Sequence, residues 1–183
     1  MKELSLHILD IVQNSISACA DLIRIDVTVD IEADLLAFII EDNGKGMDAQ
    51  LLKTVSDPFA TTRTTRKVGL GISLLKAAAE GCDGGLEISS VQGEGTKVKA
   101  WFAYGHIDRA PLGDMVETIV SLVACNPAID FVYHHRMGEK HFEFDTCEIK
   151  KVLGEVSINN IEVISWIRDY CREGIESLYG GVE

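Results

Sequence analysis

The first part of the chain changes its hydrophobic period from helical to extended. Between residues 3 and 19, apolar side chains recur every three or four positions on one face, and the opposite face carries a polar stripe made of His7, Asp10, Asn14 and Ser17. Residues 23–30 alternate strictly between apolar and polar, and residues 35–41 form a mostly apolar run, so each segment predicts a strand. The chain is therefore expected to open with a helix and two strands.

The same alternation of periods continues to about residue 104. Residues 57–68 are rich in threonine and basic residues, show no periodicity, and predict a loop. The other elements predicted here are helices at 49–55 and 72–80 and strands at 86–88 and 96–104, the strands joined around Gly93-Glu94-Gly95. This pattern predicts an α/β (α+β) two-layer sandwich, a sheet with helices packed on it.

The character of the sequence changes at residues 105–111, which we take as a domain boundary. A domain at 1–104 would be followed by a small C-terminal α+β region at 105–183. Its first predicted element is a helix at 115–125. A hairpin around Met137-Gly138 follows, with strands at 129–135 and 140–145, and then two further helices at 147–153 and 161–177. Asn159 followed by Glu162 resembles a capping pair for the last helix.

Composition and charge narrow the class of partner. The net charge of −12 over 183 residues argues against non-specific binding of nucleic acid, so a bound nucleotide would need local positive charge. No apolar run approaches the roughly 18–20 residues that span a bilayer, so we expect no membrane insertion and a cytoplasmic protein. The five cysteines form no C-x-x-C pair, which favours packing thiols over disulfides or a zinc site.

A glycine-containing loop follows the second predicted strand, with the sequence Asp42-Asn43-Gly44-Lys45-Gly46-Met47. Asp42 can accept a hydrogen bond from an exocyclic amine, which adenine presents and guanine replaces with a carbonyl. Gly44 and Gly46 would allow positive φ and a close approach to a flat ring. An ordinary Asp-Asn-Gly turn is the alternative, while the spacing of acids that an EF-hand calcium loop requires is absent.

The polar stripe of the first helix indicates a metal site. Asp10 and Asn14 are four residues apart and share one side of the helix. An amide oxygen beside a carboxylate suits Mg²⁺, which keeps several waters and takes few protein ligands. We expect Asn14 to be the metal ligand and Asp10 the base or a water-orienting acid. A solvated helix face is the alternative, and for His7 an exposed or structural role is favoured.

A third motif, Gly69-Leu70-Gly71, directly precedes a predicted helix. Free backbone N–H groups and the positive helix end would hold an anion there. Just before it, on a loop that would fold over a nucleotide, lie three cations, Arg63, Arg66 and Lys67. The order of the three motifs predicts an ATP pocket, although the cations alone would also suit a solvated loop.

Taken together, these motifs resemble the GHKL ATPases, a superfamily that contains DNA gyrase, the heat-shock chaperone ATPase, sensor histidine kinases and MutL-type mismatch repair proteins. The resemblance covers about residues 1–104 and is carried by Asp10-Ile-Val-Gln-Asn14-Ser-Ile-Ser-Ala18, Asp42-Asn-Gly-Lys-Gly46, Asp57-Pro-Phe59-Ala-Thr-Thr62, Gly69-Leu-Gly71 and Gly93-Glu-Gly95-Thr96. From Asp57 onward the motifs are most similar to histidine kinase catalytic domains, whereas the opening through Met47 is closer to MutL-type sequences.

The resemblance implies a Bergerat-type fold, in which a mixed, mostly antiparallel sheet carries helices on one face and ATP lies between helices and a flexible lid. Asp42 would bind the adenine amine, Asn14 the Mg²⁺, Gly69 and Gly71 the phosphates, and Thr96 the water network near adenine. The same motifs imply that further residues bind the nucleotide, namely Gly44, Gly46, Thr61, Thr62, Arg66, Lys67 and Leu70.

Two functions from different classes fit this site. Asn14 lies 13 residues after Met1, so the phosphoacceptor hairpin of a sensor kinase has no room before it. We therefore expect a stand-alone protein that phosphorylates or regulates a protein partner in trans, with residues 105–183 serving for docking or homodimer formation. The alternative is a nucleotide-dependent binding module with little turnover, or a simple GHKL-type ATPase. The binding module with little turnover is motivated by Asp10, where related hydrolysing enzymes and anti-sigma factor kinases usually carry glutamate.

Three histidines of the predicted hairpin, His134, His135 and His141, invite a second metal hypothesis. Adjacent strand residues face opposite sides of a sheet, so His134 and His135 would not ligate one ion without distortion. We therefore do not expect a metal there.

Overall fold

The computed structural model of the protein describes residues 2–56 and 70–180. The described chain forms six helices and six strands, in the order that the sequence predicts. They are α1 (Leu4–Ser17), β1 (Leu22–Asp30), β2 (Leu35–Asp42), α2 (Ala49–Ser56), α3 (Leu70–Glu80), β3 (Gly85–Val91), β4 (Gly95–Ala103), α4 (Met115–Cys125), β5 (Asp130–Met137), β6 (Lys140–Asp145), α5 (Thr146–Leu153) and α6 (Ile161–Tyr179). The loop predicted at 57–68 lies outside the described residues.

All six strands belong to one sheet, in the order β3-β4-β2-β1-β5-β6. Four of the five strand pairs are antiparallel, and β1 pairs with β5 in parallel. The parallel pair needs a long crossover, which the chain makes through β2, the β3–β4 hairpin and α4. The predicted mixed, mostly antiparallel sheet is therefore confirmed.

Alternation along the strands directs one face of the sheet toward the helices. In β1 the odd-numbered residues from Ile23 to Val29 are buried, and in β2 the even-numbered residues from Leu36 to Asp42 are buried. The register continues this face into β5, because Ile25 lies opposite Tyr133. The largest fully buried side chains lie here, including Phe38, Phe102, Tyr133 and Phe144. Helices on one face of a sheet are thus what the strand pattern requires.

The C-terminal hairpin extends the sheet of the N-terminal region. β5 pairs with β1 over eight positions, from Leu22↔Asp130 to Val29↔Met137. The segment before α4 also reaches α1, since the backbone N–H groups of Leu4 and Ser5 donate to the carbonyls of Pro111 and Leu112 at 2.9 and 2.8 Å. The boundary at 105–111 remains a prediction, but the regions at its two sides share one sheet.

Element ends differ slightly from the predicted ones. The described part of α3 begins at Leu70, so Gly71 is helical instead of preceding the helix. The N-cap of α6 is Asn160, whose side chain accepts from the Glu162 N–H at 2.9 Å, and the predicted Asn159 cap is wrong. Asn159 instead accepts a hydrogen bond from the Ser157 hydroxyl at 2.7 Å. One-residue offsets of this kind are expected where two asparagines adjoin, because either can cap a helix.

The two adjacent histidines lie on opposite faces of the sheet, as strand geometry predicts. His134 bonds Asp26 on the outer face through its Nδ1 at 2.8 Å, whereas His135 is fully buried on the helix side. Among the described residues, no group of three or more His, Cys, Asp or Glu side chains could hold a metal ion. The described helices likewise include none that is both long and apolar enough to cross a bilayer.

His135 occupies a buried hydrogen-bonded cluster under α6. Its Nδ1 bonds the Tyr133 hydroxyl at 2.8 Å, and its Nε2 bonds the Tyr179 hydroxyl at 3.1 Å. Burial lowers the pKa of His135 from 6.5 to about 4, so the ring is neutral in the folded protein at neutral pH. Between these two values the unfolded chain binds a proton here that the folded chain does not. The stability contribution is therefore complete above pH 6.5 and is lost as the pH falls toward about 4.

We expect His135→Gln to reduce the acid sensitivity of the fold. The wild-type protein should lose unfolding free energy between about pH 7 and about pH 4.5, and His135→Gln should lose about 2–3 kcal/mol less. Urea unfolding at the two pH values measures this difference. His141→Gln is the matched control, because His141 is exposed on β6 and should leave the wild-type pH dependence unchanged. Equal pH dependence in His135→Gln and the wild type would contradict this assignment.

Candidate functional site

Asp42 ends β2 with its side chain directed into the helix side of the sheet, where it is 9% exposed. Its Oδ2 accepts a hydrogen bond from the Ser15 hydroxyl of α1 at 2.6 Å, and its Oδ1 accepts from the Gly44 N–H at 2.9 Å. A carboxylate has about four acceptor positions, so this one retains capacity for a ligand amine. The two bonds fix the direction in which that capacity is presented.

The loop after Asp42 is held at both of its ends. Asn43 accepts from the backbone N–H groups of Asp21 and Leu22 at 3.1 and 3.0 Å, which ties the loop to the start of β1. The Lys45 N–H donates to the Ala18 carbonyl at 2.9 Å, which ties it to the end of α1. The loop is therefore a fixed connection between the helix and the sheet, and not only a surface turn.

The two loop glycines are required for different reasons. Gly46 has a φ of +62°, and a side chain there would collide with the Val91 carbonyl. Gly44 does not have positive φ, which corrects the prediction for that position; a Cβ there would lie 2.8 Å from the Ala18 carbonyl oxygen. In both cases the close neighbour is the protein's own backbone. The glycines thus allow the loop to pack tightly between α1 and the β3–β4 turn.

Thr96 lies directly beside Asp42, because the two residues are paired across β2 and β4. Its hydroxyl is 2.9 Å from the Ser90 hydroxyl, which accepts from the Met47 N–H at 2.8 Å and donates to the Gly95 carbonyl at 2.8 Å. Gly95 has a φ of +132° and closely approaches the Asp42 carbonyl. A chain of hydroxyl groups therefore connects Thr96 to the loop that follows Asp42.

These elements enclose a cavity of about 560 Å³, which we call the nucleotide cavity. It brings together four of the predicted site residues, Asn14, Asp42, Gly46 and Thr96. Apolar walls complete it, formed by Ile11, Ile40, Met47, Leu51, Ile72 and Val98. A largely apolar cleft of this volume with a few polar groups is typical of a small-molecule site and accommodates a flat heteroaromatic ring.

Asp10 lies beyond the cavity lining, at the start of α3. A Cβ built on Gly71 would lie 3.3 Å from Asp10 Oδ2, so the carboxylate is directly beside the first turn of that helix. Asp10 is exposed and Asn14 is half-buried one turn later on α1. The two side chains thus present oxygen atoms between the cavity and the N-terminus of α3, where anions are stabilised.

Several residues predicted for the nucleotide site and its basic loop lie outside the described residues. They are Thr61, Thr62, Arg63, Arg66, Lys67 and Gly69. Leu70 is described as the first residue of α3, and Gly71 follows in the same turn. The site described by the structure therefore comprises the cavity beside Asp42 and the start of α3.

His7 is buried, with 3% exposure, one turn before Asp10 on α1. Its Nδ1 has no hydrogen-bond partner among residues 2–56 and 70–180. Burial and the positive N-terminus lower its pKa, while Asp10 opposes the shift. The ring is thus a structural part of the α1 interface, in agreement with the favoured reading of the sequence.

Sequence reasoning missed Ser15 and Ser90 as supports of the site. Ser15 lies on the apolar face of α1, and a buried hydroxyl on such a face needs a hydrogen-bond partner. That requirement was the signal available in the sequence. Ser90 gave no comparable signal, because its role depends on the pairing of β3 with β4, where Ser90 lies opposite Thr96.

Comparison with known proteins agrees with this geometry. The sequence profile of the family described as histidine kinase-, DNA gyrase B-, and HSP90-like ATPase matches residues 2–106. A putative sensor protein from Shewanella frigidimarina is 34% identical over 105 residues, which cover 55% of this chain and 16% of that protein. The sensor protein kinase FleS from Pseudomonas aeruginosa is 41% identical over 58 residues, which cover 32% of this chain and 14% of that protein. The chain thus spans only a small part of the length of these relatives.

Among solved structures, the N-terminal domain of a DNA repair protein superposes with a TM-score of 0.53 at 15% identity, covering 79% of this chain and 52% of that one. At this identity the likeness supports the fold alone. The family profile, in contrast, includes every described site residue, from Asp10 to Thr96. Because it also matches more than half of the 183 residues, the chain belongs to the histidine kinase-, DNA gyrase B- and HSP90-like ATPase family, as its motifs predict.

Proposed function

We propose that the protein binds ATP with magnesium in the nucleotide cavity and uses it to phosphorylate or regulate a protein partner in trans. The observation that carries the proposal is the fixed, buried carboxylate of Asp42 at the cavity. Asn14, whose side chain carries an amide oxygen, also lines the cavity. A cytoplasmic location, where ATP is available, is part of the same proposal.

Selectivity for adenine would come from Asp42. Its carboxylate accepts hydrogen bonds and cannot donate them, so it pairs with the exocyclic amine of adenine and opposes the carbonyl that guanine carries there. The Ser15 and Gly44 bonds hold it in place before the ligand arrives, which lowers the entropy cost of binding. Thr96 and Ser90 supply further hydroxyl groups beside it for bridging waters.

The triphosphate end would lie toward α3. Asn14 and Asp10 offer the amide and carboxylate oxygens that Mg²⁺ prefers, together with phosphate oxygens and water. The start of α3 would direct backbone N–H groups and the positive end of the helix dipole toward the phosphates. Gly71 keeps this turn close to Asp10, because a side chain there would press on the carboxylate.

Transfer to a protein is supported by the similarity to sensor kinases, one of which is named a sensor protein kinase. Asp10 is exposed beside the proposed phosphate end, where its carboxylate can orient the attacking group of an acceptor. For contact with a partner we propose residues 105–183. This is supported by Trp166 and Tyr170 of α6, which are stacked with ring centroids 5.2 Å apart and are 51% and 41% exposed.

The alternative function is a nucleotide-dependent binding module or simple ATPase. Asp10 favours the binding module with little turnover, because aspartate reaches one methylene less far than the glutamate of hydrolysing family members. In that case the bound nucleotide would set the conformation at the site, and any turnover would release inorganic phosphate to water. The two functions differ in the fate of the γ-phosphoryl group.

Asp42→Asn should lower ATP affinity by about 10- to 100-fold, because the amide can present a donor toward the adenine amine. Isothermal calorimetry with ATP measures the effect. Asp169→Asn is the matched control, since Asp169 is an exposed residue of α6 paired with Arg172 at 3.6 Å. Unchanged ATP affinity in Asp42→Asn, with the fold intact by circular dichroism, would mean that the loop is only a structural turn.

Asn14→Ala should remove the gain in ATP affinity that Mg²⁺ provides and leave the metal-free affinity within about twofold of wild type. Titrations of ATP with and without Mg²⁺ separate the two quantities. Gln13→Ala is the control, because Gln13 is the exposed neighbour on the same helix. If Asn14→Ala retained the full Mg²⁺ dependence, Asn14 would not be the metal ligand.

The fate of the γ-phosphoryl group decides between the two functions. ATP labelled in that group, incubated with the protein and an extract of its own cells, should label a different protein, as the terminal P–O bond breaks and a new bond forms to the acceptor. Asp42→Asn should abolish this labelling. Stable label on the chain's own histidines, His106, His134, His135 or His141, or free phosphate with no labelled protein, would contradict transfer in trans.

A further inference from the structure

A second cavity, of about 350 Å³, lies where the N- and C-terminal regions meet. We call it the junction cavity. It shares no lining residue with the nucleotide cavity. Its walls come from the far ends of β1 and β2, the segment before α4, and the end of α6, and include Leu36, Arg109, Leu112, Met115, Ile175 and Tyr179. Its size is at the lower end of the range for small-molecule sites.

One wall carries a half-buried cation, Arg109. Its Nε donates to the Tyr104 carbonyl at 2.6 Å and its Nη1 to the Ala110 carbonyl at 3.0 Å, and the guanidinium lies 4.8 Å from the centroid of the Tyr104 ring. Within the described part of the chain Arg109 has no salt bridge to a carboxylate. In a protein of net charge −12, a fixed cation without an acidic partner is a feature that a bound anion would explain.

Another part of the lining is uncharged and hydrogen-bonded. The Tyr179 hydroxyl bonds the Nε2 of His135, which is itself fully buried and bonded to Tyr133. Val29 and Ile175 add apolar surface beside this pair. The wall therefore suits the apolar body of a ligand, with one hydroxyl group available at its edge.

The remaining charged lining residue is Asp114, which lies exposed at the rim. Its Oδ1 accepts from the Glu117 N–H at 2.9 Å and caps α4. A carboxylate at the rim disfavours a ligand with several negative charges, because it would repel the second charge while Arg109 compensates the first. A single negative charge on a small ligand matches the lining best.

From these features we propose that the junction cavity binds a small monocarboxylate with an apolar body. The carboxylate would pair with the guanidinium of Arg109, and the body would lie against Val29, Leu36 and Ile175. Because the two cavities have separate linings, this site does not depend on the proposed ATP function.

The test titrates 4-phenylbutanoate, and its neutral counterpart 4-phenylbutan-1-ol, into the protein. Methyl NMR of Met115 and Ile175 reports occupancy of the junction cavity directly. We expect saturable one-to-one shifts at both methyl groups, and about tenfold tighter binding of the carboxylate than of the alcohol. Absence of saturable shifts, or equal affinity for the two probes, would overturn the proposal.

Two variants separate the charge from the cavity. Arg109→Gln should weaken 4-phenylbutanoate by about tenfold and leave the alcohol unchanged, whereas Arg136→Gln, at an exposed position of β5, should change neither. Ile175→Trp should fill the cavity and abolish binding of both probes, and it tests the site independently should Arg109→Gln fail to fold. Full carboxylate affinity in folded Arg109→Gln, or in Ile175→Trp, would contradict the assignment.

Discussion

The 2.6 Å hydrogen bond from Ser15 to Asp42 joins the two elements on which the candidate site depends. Helix α1 carries Asp10, Asn14 and Ser15, while β2 ends at Asp42. A shift of α1 along the sheet would separate the proposed metal-binding side chains of α1 from Asp42, the proposed ring-binding carboxylate, and this buried bond opposes such a shift. The loop after Asp42 adds a second tie, through the Lys45 N–H to Ala18. The residues proposed to recognise the ring and those proposed to bind the metal are therefore held in one arrangement.

The C-terminal region contributes to that arrangement from the other end of α1. The carbonyls of Pro111 and Leu112 accept the N–H groups of Leu4 and Ser5 in the first turn of the helix, whose N-cap Glu3 makes no side-chain capping bond. Strand β5 meanwhile covers the edge of β1, which would otherwise present unpaired backbone groups. The junction cavity lies where these contacts meet, so its lining belongs to both regions.

Local patterns in the sequence predicted nearly every element, because strict alternation and the two-faced helix leave little choice of burial. They also predicted that Asp42, Asn14, Gly46 and Thr96 would meet, through the resemblance that their motifs carry. They did not predict that β5 would pair with β1 in parallel, since no local pattern encodes a partner more than a hundred residues away. The predicted reason for a glycine at position 44 was also wrong. The close approach of the Ala18 backbone requires glycine there, and a positive φ angle does not. Tertiary contacts decided both points.

The central claim is that Asp42 recognises the exocyclic amine of adenine. The most direct measurement compares ATP with inosine triphosphate, which differs at that position by a carbonyl in place of the amine, in calorimetric titrations of the unaltered protein. The account predicts that the inosine nucleotide binds about 10- to 100-fold more weakly, because two acceptors would then face each other. Equal affinity for the two nucleotides would show that Asp42 does not read the base, and would contradict the account.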